Sequence, residues 1–81
     1  MKTSVRLFAV ARQTAGRDSV EIELPDGATI GQLRLELARQ IPALAPLIEQ
    51  TTFALGAEYA DDEATIHPGD EVACIPPVSG G

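Results

Sequence analysis

Few residues in this chain of 81 are of types that do chemistry, and they gather towards one end. The run "VACIPPVSGG", residues 72–81, holds the only cysteine, Cys74, then two prolines, and closes on Gly80 and Gly81. Without Cβ atoms, two successive glycines can thread a narrow channel in any backbone geometry. A terminal carboxylate on Gly81 is sterically open to attack. It is a poor electrophile as it stands, but adenylation by ATP on a separate enzyme turns it into a reactive acyl group. An amine then gives a conjugate, and a sulfur donor leaves a C-terminal thiocarboxylate. Pro76 and Pro77 cannot donate ladder hydrogen bonds, so the sheet is expected to end there with an extended exit. The expected organisation is a domain over residues 1–76 and an extended, flexible tail over 77–81, reaching roughly 15–20 Å from Ile75.

The other candidates are weaker. Cys74 could carry sulfur as a persulfide, but an unpaired cysteine in an apolar strand reads first as a small buried residue. His67, in "HPGD", is the only histidine and has no second ligand at metal-binding spacing. Asp61, Asp62 and Glu63 lack the glycine and spacing of a calcium loop and read as a solvated turn. Arg12 is a candidate for contact with a partner or a nucleotide. There is no phosphate-cradling glycine loop, no carboxylate pair and no nucleophile–base motif. The expectation is therefore no independent catalytic activity, no bound cofactor and no metal site.

The elements that must position the tail follow from hydrophobic period. Residues 4–10, "SVRLFAV", read as a first strand, with Val5, Leu7 and Ala9 on one face and Arg6, Phe8 and Val10 on the other. "RQTAGRD" follows as a turn or short helix ending at Gly16. Residues 19–24 alternate cleanly as a second strand, Val20, Ile22 and Leu24 inward. After the "PDGA" turn, Thr29 with Gln32 three residues on makes a capping box. Ile30, Leu33, Leu37 and Ile41 then form one helical stripe, which Pro42 brings to an end. "ALAPLIE" predicts a further short helical turn. "TTFAL" (51–55), a brief strand at Glu58 and Tyr59, and "EVACI" (71–75) complete the order.

A hairpin, one amphipathic helix and further strands is the order of a β-grasp, or ubiquitin-like, α+β fold: a mixed sheet packed on one main helix, with first and last strands parallel and adjacent. One helix covers one sheet face. The other is expected to show Phe8, Val10, Ala73 and Ile75, a patch that marks a partner site unless "ALAPLIE" folds back over it.

Charge sharpens this. The net charge is −6, and all six basic residues lie in the first 39 positions. The remaining 42 carry seven acids and no lysine or arginine. That half suits either plain solvation or a basic protein partner. Nucleic acid needs a basic footprint and is excluded as a partner. No apolar run is long enough to span a bilayer, so no membrane association is expected. The start lacks signal-peptide character and the lone cysteine suits a reducing compartment, which points to the cytoplasm.

"GDEVACIPPVSGG" (69–81) closely resembles the C-terminus of the small subunit of molybdopterin synthase, the MoaD-type sulfur carriers. "VRLFAVARQTAG" and "LPDGATIGQLRLELA" are similar to the same family, so the resemblance covers essentially the whole chain. It implies a ubiquitin-like fold and a heterotetrameric synthase in which this chain is the non-catalytic, sulfur-donating subunit. It implies that Gly81 is adenylated by a ubiquitin-activating-like enzyme that uses ATP, and is then converted to a thiocarboxylate with sulfur from a donor enzyme. The tail, with Gly80 threading the channel, would enter the large subunit and pass sulfur to a cyclic pyranopterin monophosphate, building the dithiolene of the molybdenum cofactor. Phe8, Tyr59 and Ile75 match the family's apolar partner-facing positions, and Pro76, Pro77, Val78 and Ser79 its tail contacts. Gly56 stands where many relatives have Asn, which is expected to loosen that turn. The rival readings are a thiamine-pathway (ThiS-like) carrier, a ubiquitin-like protein modifier, and a β-grasp interaction module with an irrelevant tail. A β-grasp ferredoxin is excluded, because its cluster needs four cysteines.

Overall fold

Alternation of apolar and polar residues over Lys2–Leu7 produces strand β1, with Thr3, Val5 and Leu7 buried and Lys2, Ser4 and Arg6 exposed. A computed structural model describes residues 1–77 of the chain. Helix α1 (Ala9–Ala15) follows, then β2 (Ser19–Glu23) and the main helix α2 (Ile30–Gln40). A 3₁₀ turn (Pro42–Leu44) leads into α3 (Ala45–Ile48), and β3 (Thr52–Leu55), β4 (Glu58–Ala60) and β5 (Val72–Ile75) complete the domain. The five strands form one sheet in the order β2-β1-β5-β3-β4. β1 and β5 run parallel, Arg6 level with Ala73, and every other pair is antiparallel. This is the expected α+β grasp: a mixed sheet with its first and last strands side by side.

The first strand is shorter than its apolar pattern suggests. It stops at Leu7, and the chain turns into α1 through Ala9, whose φ of 51° lies in the left-handed region. An alanine there costs about 1–2 kcal/mol, and nothing in an apolar run such as "LFAVA" announces it. As a consequence Val10 lies on α1 and not on the sheet, which corrects its expected place on the open face. Helix α1 ends where expected, at Gly16 with φ 74°.

Helix α2 begins with the full capping box. The Thr29 hydroxyl accepts from the Gln32 backbone N–H, and the Gln32 side chain accepts from the Thr29 N–H. Two more N–H groups of its first turn, on Ile30 and Gly31, donate to Ala64 O and Asp62 O at 3.0 and 2.9 Å. The loop 61–66 is thereby fastened across the helix start, satisfying donors that a helix N-terminus otherwise leaves to water. Ile30, Leu33 and Leu37 are fully buried against the sheet.

The "ALAPLIE" segment does not fold over the open sheet face. Leu44 and Ile48 bury themselves in the single core, where the 3₁₀ turn packs against α1 and α2. One face of the sheet therefore carries all the helices.

Candidate functional site

The uncovered face is assembled from strand register. Since Arg6 is level with Ser19 of β2 and Ala73 of β5, Ala73 with Ala54 of β3, and Ala54 with Tyr59 of β4, one row of side chains crosses the whole sheet. Strands lie about 4.8 Å apart, so Arg6 and Tyr59 stand roughly 14 Å from each other with two alanines between them. The small residues form a floor and the large ones form walls. Phe8 and Ile75 flank the floor on neighbouring positions. Phe8, Tyr59, Ile75 and the two alanines, together with Gly56 and Ala57, enclose an open apolar depression of about 380 Å³.

The sequence placed Phe8, Ala73 and Ile75 on this face, and the structure brings them together with Tyr59. Phe8 is 39% exposed and Tyr59 76%. A second depression continues from Tyr59 and Ile75 to Pro76 and Pro77, so the face is continuous with the exit of β5. Of the two prolines at this exit, Pro76 is buried in its own domain and Pro77 is exposed. A proline at the end of β5 has no N–H to leave unpaired, so it can be packed inward at no hydrogen-bonding cost. Val78, Ser79, Gly80 and Gly81 lie outside the described residues.

Gly56 closes the β3–β4 hairpin with φ 61°, a conformation that glycine adopts freely and asparagine tolerates. Its N–H donates to Glu71 O at 2.9 Å. This bond ties the turn to the start of β5.

The competing candidates fall elsewhere. Cys74 is 1% exposed and faces the core, and burial pushes its thiol up to about 11, with the nearby Arg34 charge pulling back only in part. Such a thiol is neither ionised nor accessible at neutral pH. His67 belongs to a surface turn in which its backbone N–H donates to the Asp70 carboxylate at 2.7 Å. Arg12 forms a loose, exposed pair with Asp18 at 3.8 Å. No group of three or more His, Cys, Asp or Glu among the described residues could hold a metal ion, and no helix among them is long and apolar enough to cross a membrane.

One structural residue escaped the sequence reading. Arg34, on the flank of α2, bonds Asp62 through Nε and Nη2 at 3.1 and 2.7 Å, and donates through Nη1 to Ile48 O and Thr51 O. Its guanidinium also lies over the Phe53 ring, 5.0 Å from the centroid. Asp62 is thus part of a fastening and not of a free acidic loop.

The ThiS family model matches residues 5–81. The chain is 40% identical to the molybdopterin synthase sulfur carrier subunit of Chlamydomonas reinhardtii, covering all of both chains. It is 36% identical to the subunit of the same name from Homo sapiens, over 99% of this chain and 94% of that one. Among solved structures, small archaeal modifier protein 1 (SAMP1) from Haloferax volcanii superposes with a TM-score of 0.87 at 28% identity, over the full length of both.

Proposed function

Because the chain belongs to the ThiS family, whose model matches it from residue 5 to residue 81, we propose that it is the sulfur-carrier subunit of a molybdopterin synthase. The observation that carries this reading is the full-length likeness, at 40% identity, to a molybdopterin synthase sulfur carrier subunit. The apolar face that runs on to Pro76 and Pro77 supports it, since a carrier needs a docking surface beside the exit of its tail.

In this reading residues 1–76 dock and residues 77–81 deliver. An adenylating enzyme joins the Gly81 carboxylate to the AMP moiety of ATP, releasing pyrophosphate. The terminal sulfur of a persulfide on a donor enzyme then displaces AMP, and a thiol cleaves the resulting acyl disulfide, itself being oxidised to a disulfide with the donor and leaving the thiocarboxylate. Phe8, Tyr59 and Ile75 seat on the large subunit, and Gly80 and Gly81 enter its active site, where the sulfur passes to the cyclic pterin. The large subunit supplies positioning and electrostatics, and this chain supplies the reactive atom. It works in the cytoplasm and needs no cofactor of its own.

A second reading, as a protein modifier, is favoured by the likeness to small archaeal modifier protein 1. Both readings use Gly81, and they part at the nucleophile, sulfur in one and a lysine amine in the other.

The test is mass spectrometry of the protein from its own cells, with fragmentation of the tryptic peptide that follows Arg39 and holds both Cys74 and Gly81. Oxygen-to-sulfur exchange on Gly81 is expected. Isopeptide-linked adducts of higher mass would support the modifier. Added sulfur on Cys74 would move the chemistry to a persulfide. A plain carboxylate at Gly81 and no isopeptide-linked adducts, with the adenylating enzyme and sulfur donor supplied, would overturn both readings and leave an interaction module.

A further inference from the structure

The row that crosses the open face is not uniformly apolar. Arg6 forms one of its two walls, on an interior strand whose backbone is paired on both sides, to Ser19 and to Ala73. Its guanidinium carbon lies 5.4 Å from the centroid of the Phe8 ring. With Phe8, Gly56, Glu71, Val72 and Ala73 it lines a shallow depression beside the apolar floor. Among the described residues Arg6 and Arg17 enter no ion pair, whereas Arg12, Arg34 and Arg39 each have a carboxylate partner; of the two, only Arg6 belongs to the open-face row.

We propose that Arg6 is a specificity-determining residue of the docking face, and that the partner subunit sets a carboxylate against it. The proposal rests on the reading of this face as the surface that docks the large subunit. The reasoning is one of desolvation. A guanidinium has five N–H donors and cannot shed its charge in a protein. In the free chain those donors face water. Once a partner covers Phe8, Ala73 and Ala54, Arg6 loses that water, and an unpaired charge buried in an interface is heavily penalised. The cation–π contact with Phe8 covers one side of the guanidinium and leaves its N–H donors in need of an acceptor. A surface with an apolar ridge and a carboxylate at one end therefore fits. A purely apolar surface of the same shape is rejected, which is how one carrier can be told from another of the same fold. Glu71 lies at the same depression but outside ion-pairing distance. It is the internal competitor for this role and is tested alongside.

The experiment is calorimetric titration of the full chain into its large subunit at low and physiological salt, with Arg6→Met, Arg6→Lys and Glu71→Gln, each checked by thermal melting. Arg6→Met keeps an apolar stem beside Phe8 while removing the charge. It is expected to weaken binding at least about tenfold, the lower range for a close interfacial charge pair, and to flatten the salt dependence. Arg6→Lys restores part of the affinity. Glu71→Gln binds within about twofold of the unsubstituted chain, as expected for a charge outside the pair. Binding by Arg6→Met within twofold of the unsubstituted chain overturns the proposal. So does an equal loss in Glu71→Gln, which would mean that Arg6 is satisfied from within its own chain. No binding by the unsubstituted chain overturns the docking reading itself, a different result from intact binding that ignores Arg6.

Discussion

At the scale of the residue, Cys74 shows how burial decides chemistry. The same atom that sequence alone allows as a sulfur carrier sits in the core at the middle of β5, 1% exposed. Desolvation disfavours the thiolate, so the thiol loses its proton near pH 11 in the folded chain, against an ordinary value of 9. The folded pKa is raised, so the stabilisation is whole below about pH 9 and is lost as pH rises from there through 11, because the unfolded chain ionises first. Two pH units of separation correspond to a loss on the order of 2–3 kcal/mol. Urea unfolding at pH 7, 9 and 10.5 measures it. The slope between pH 9 and 10.5 should flatten in Cys74→Ala, whatever that substitution does to stability at pH 7. A native chain whose Cys74 reacts readily with a thiol reagent at pH 8 would contradict the burial and reopen the persulfide route.

At the scale of the element, what could be read in the sequence was what local rules write there. Thr29 and Gln32 announce the start of α2, Pro42 its end, and the alternation in "SVEIE" gives β2 its inward face. What could not be read depends on contacts made far along the chain. The left-handed turn at Ala9 interrupts an apolar run that looks like continuing strand, and only the fold compensates for its strain. The burial of Pro76 depends on neighbours that the tail sequence does not specify. The role of Arg34 depends on Asp62, 28 residues away. A signal did exist, since Arg34 adjoins Leu33 on the edge of the buried stripe, where a long side chain can lay its stem along the core. Its partners become visible only once β3 and the 61–66 loop are in place. Those partners make it a fastening between α2, the entry to β3 and the loop that caps α2. Its side chain is 17% exposed. Arg34→Met should therefore cost about 2–4 kcal/mol, more than any exposed arginine of the chain, because charge-assisted bonds are lost and carbonyl acceptors are orphaned. Chemical denaturation against Arg39→Met provides the comparison. The Arg39–Glu36 pair lies on the helix surface, where removal of one partner changes little. Equal effects of the two substitutions would reduce Arg34 to another surface charge.

For the whole molecule, the consequence of one main helix and five strands is asymmetry. Helices and loops cover one sheet face and consume the apolar side chains there, while the other is left with the Arg6–Tyr59 row and its alanine floor. Exposure alone does not identify a docking residue, and the chain contains its own control. Leu35, on the outer side of α2, is 74% exposed, nearly the same as Tyr59 at 76%. Both side chains add little to the fold, so Tyr59→Ala and Leu35→Ala should each change stability by no more than about 0.5 kcal/mol. They differ in place. Tyr59 is the wall opposite Arg6 and lines two of the depressions of the open face, whereas Leu35 borders a separate hollow with Glu23, Glu36 and Arg39. Aromatic residues beside a desolvated floor carry a disproportionate share of binding energy. Tyr59→Ala should thus weaken association with the large subunit at least about tenfold, a loss within the range for such anchors, with Leu35→Ala unchanged. Surface plasmon resonance with both variants on one immobilised partner makes the comparison direct. If Leu35→Ala loses affinity and Tyr59→Ala does not, the partner sits on the helical side, and the open sheet face must serve another purpose.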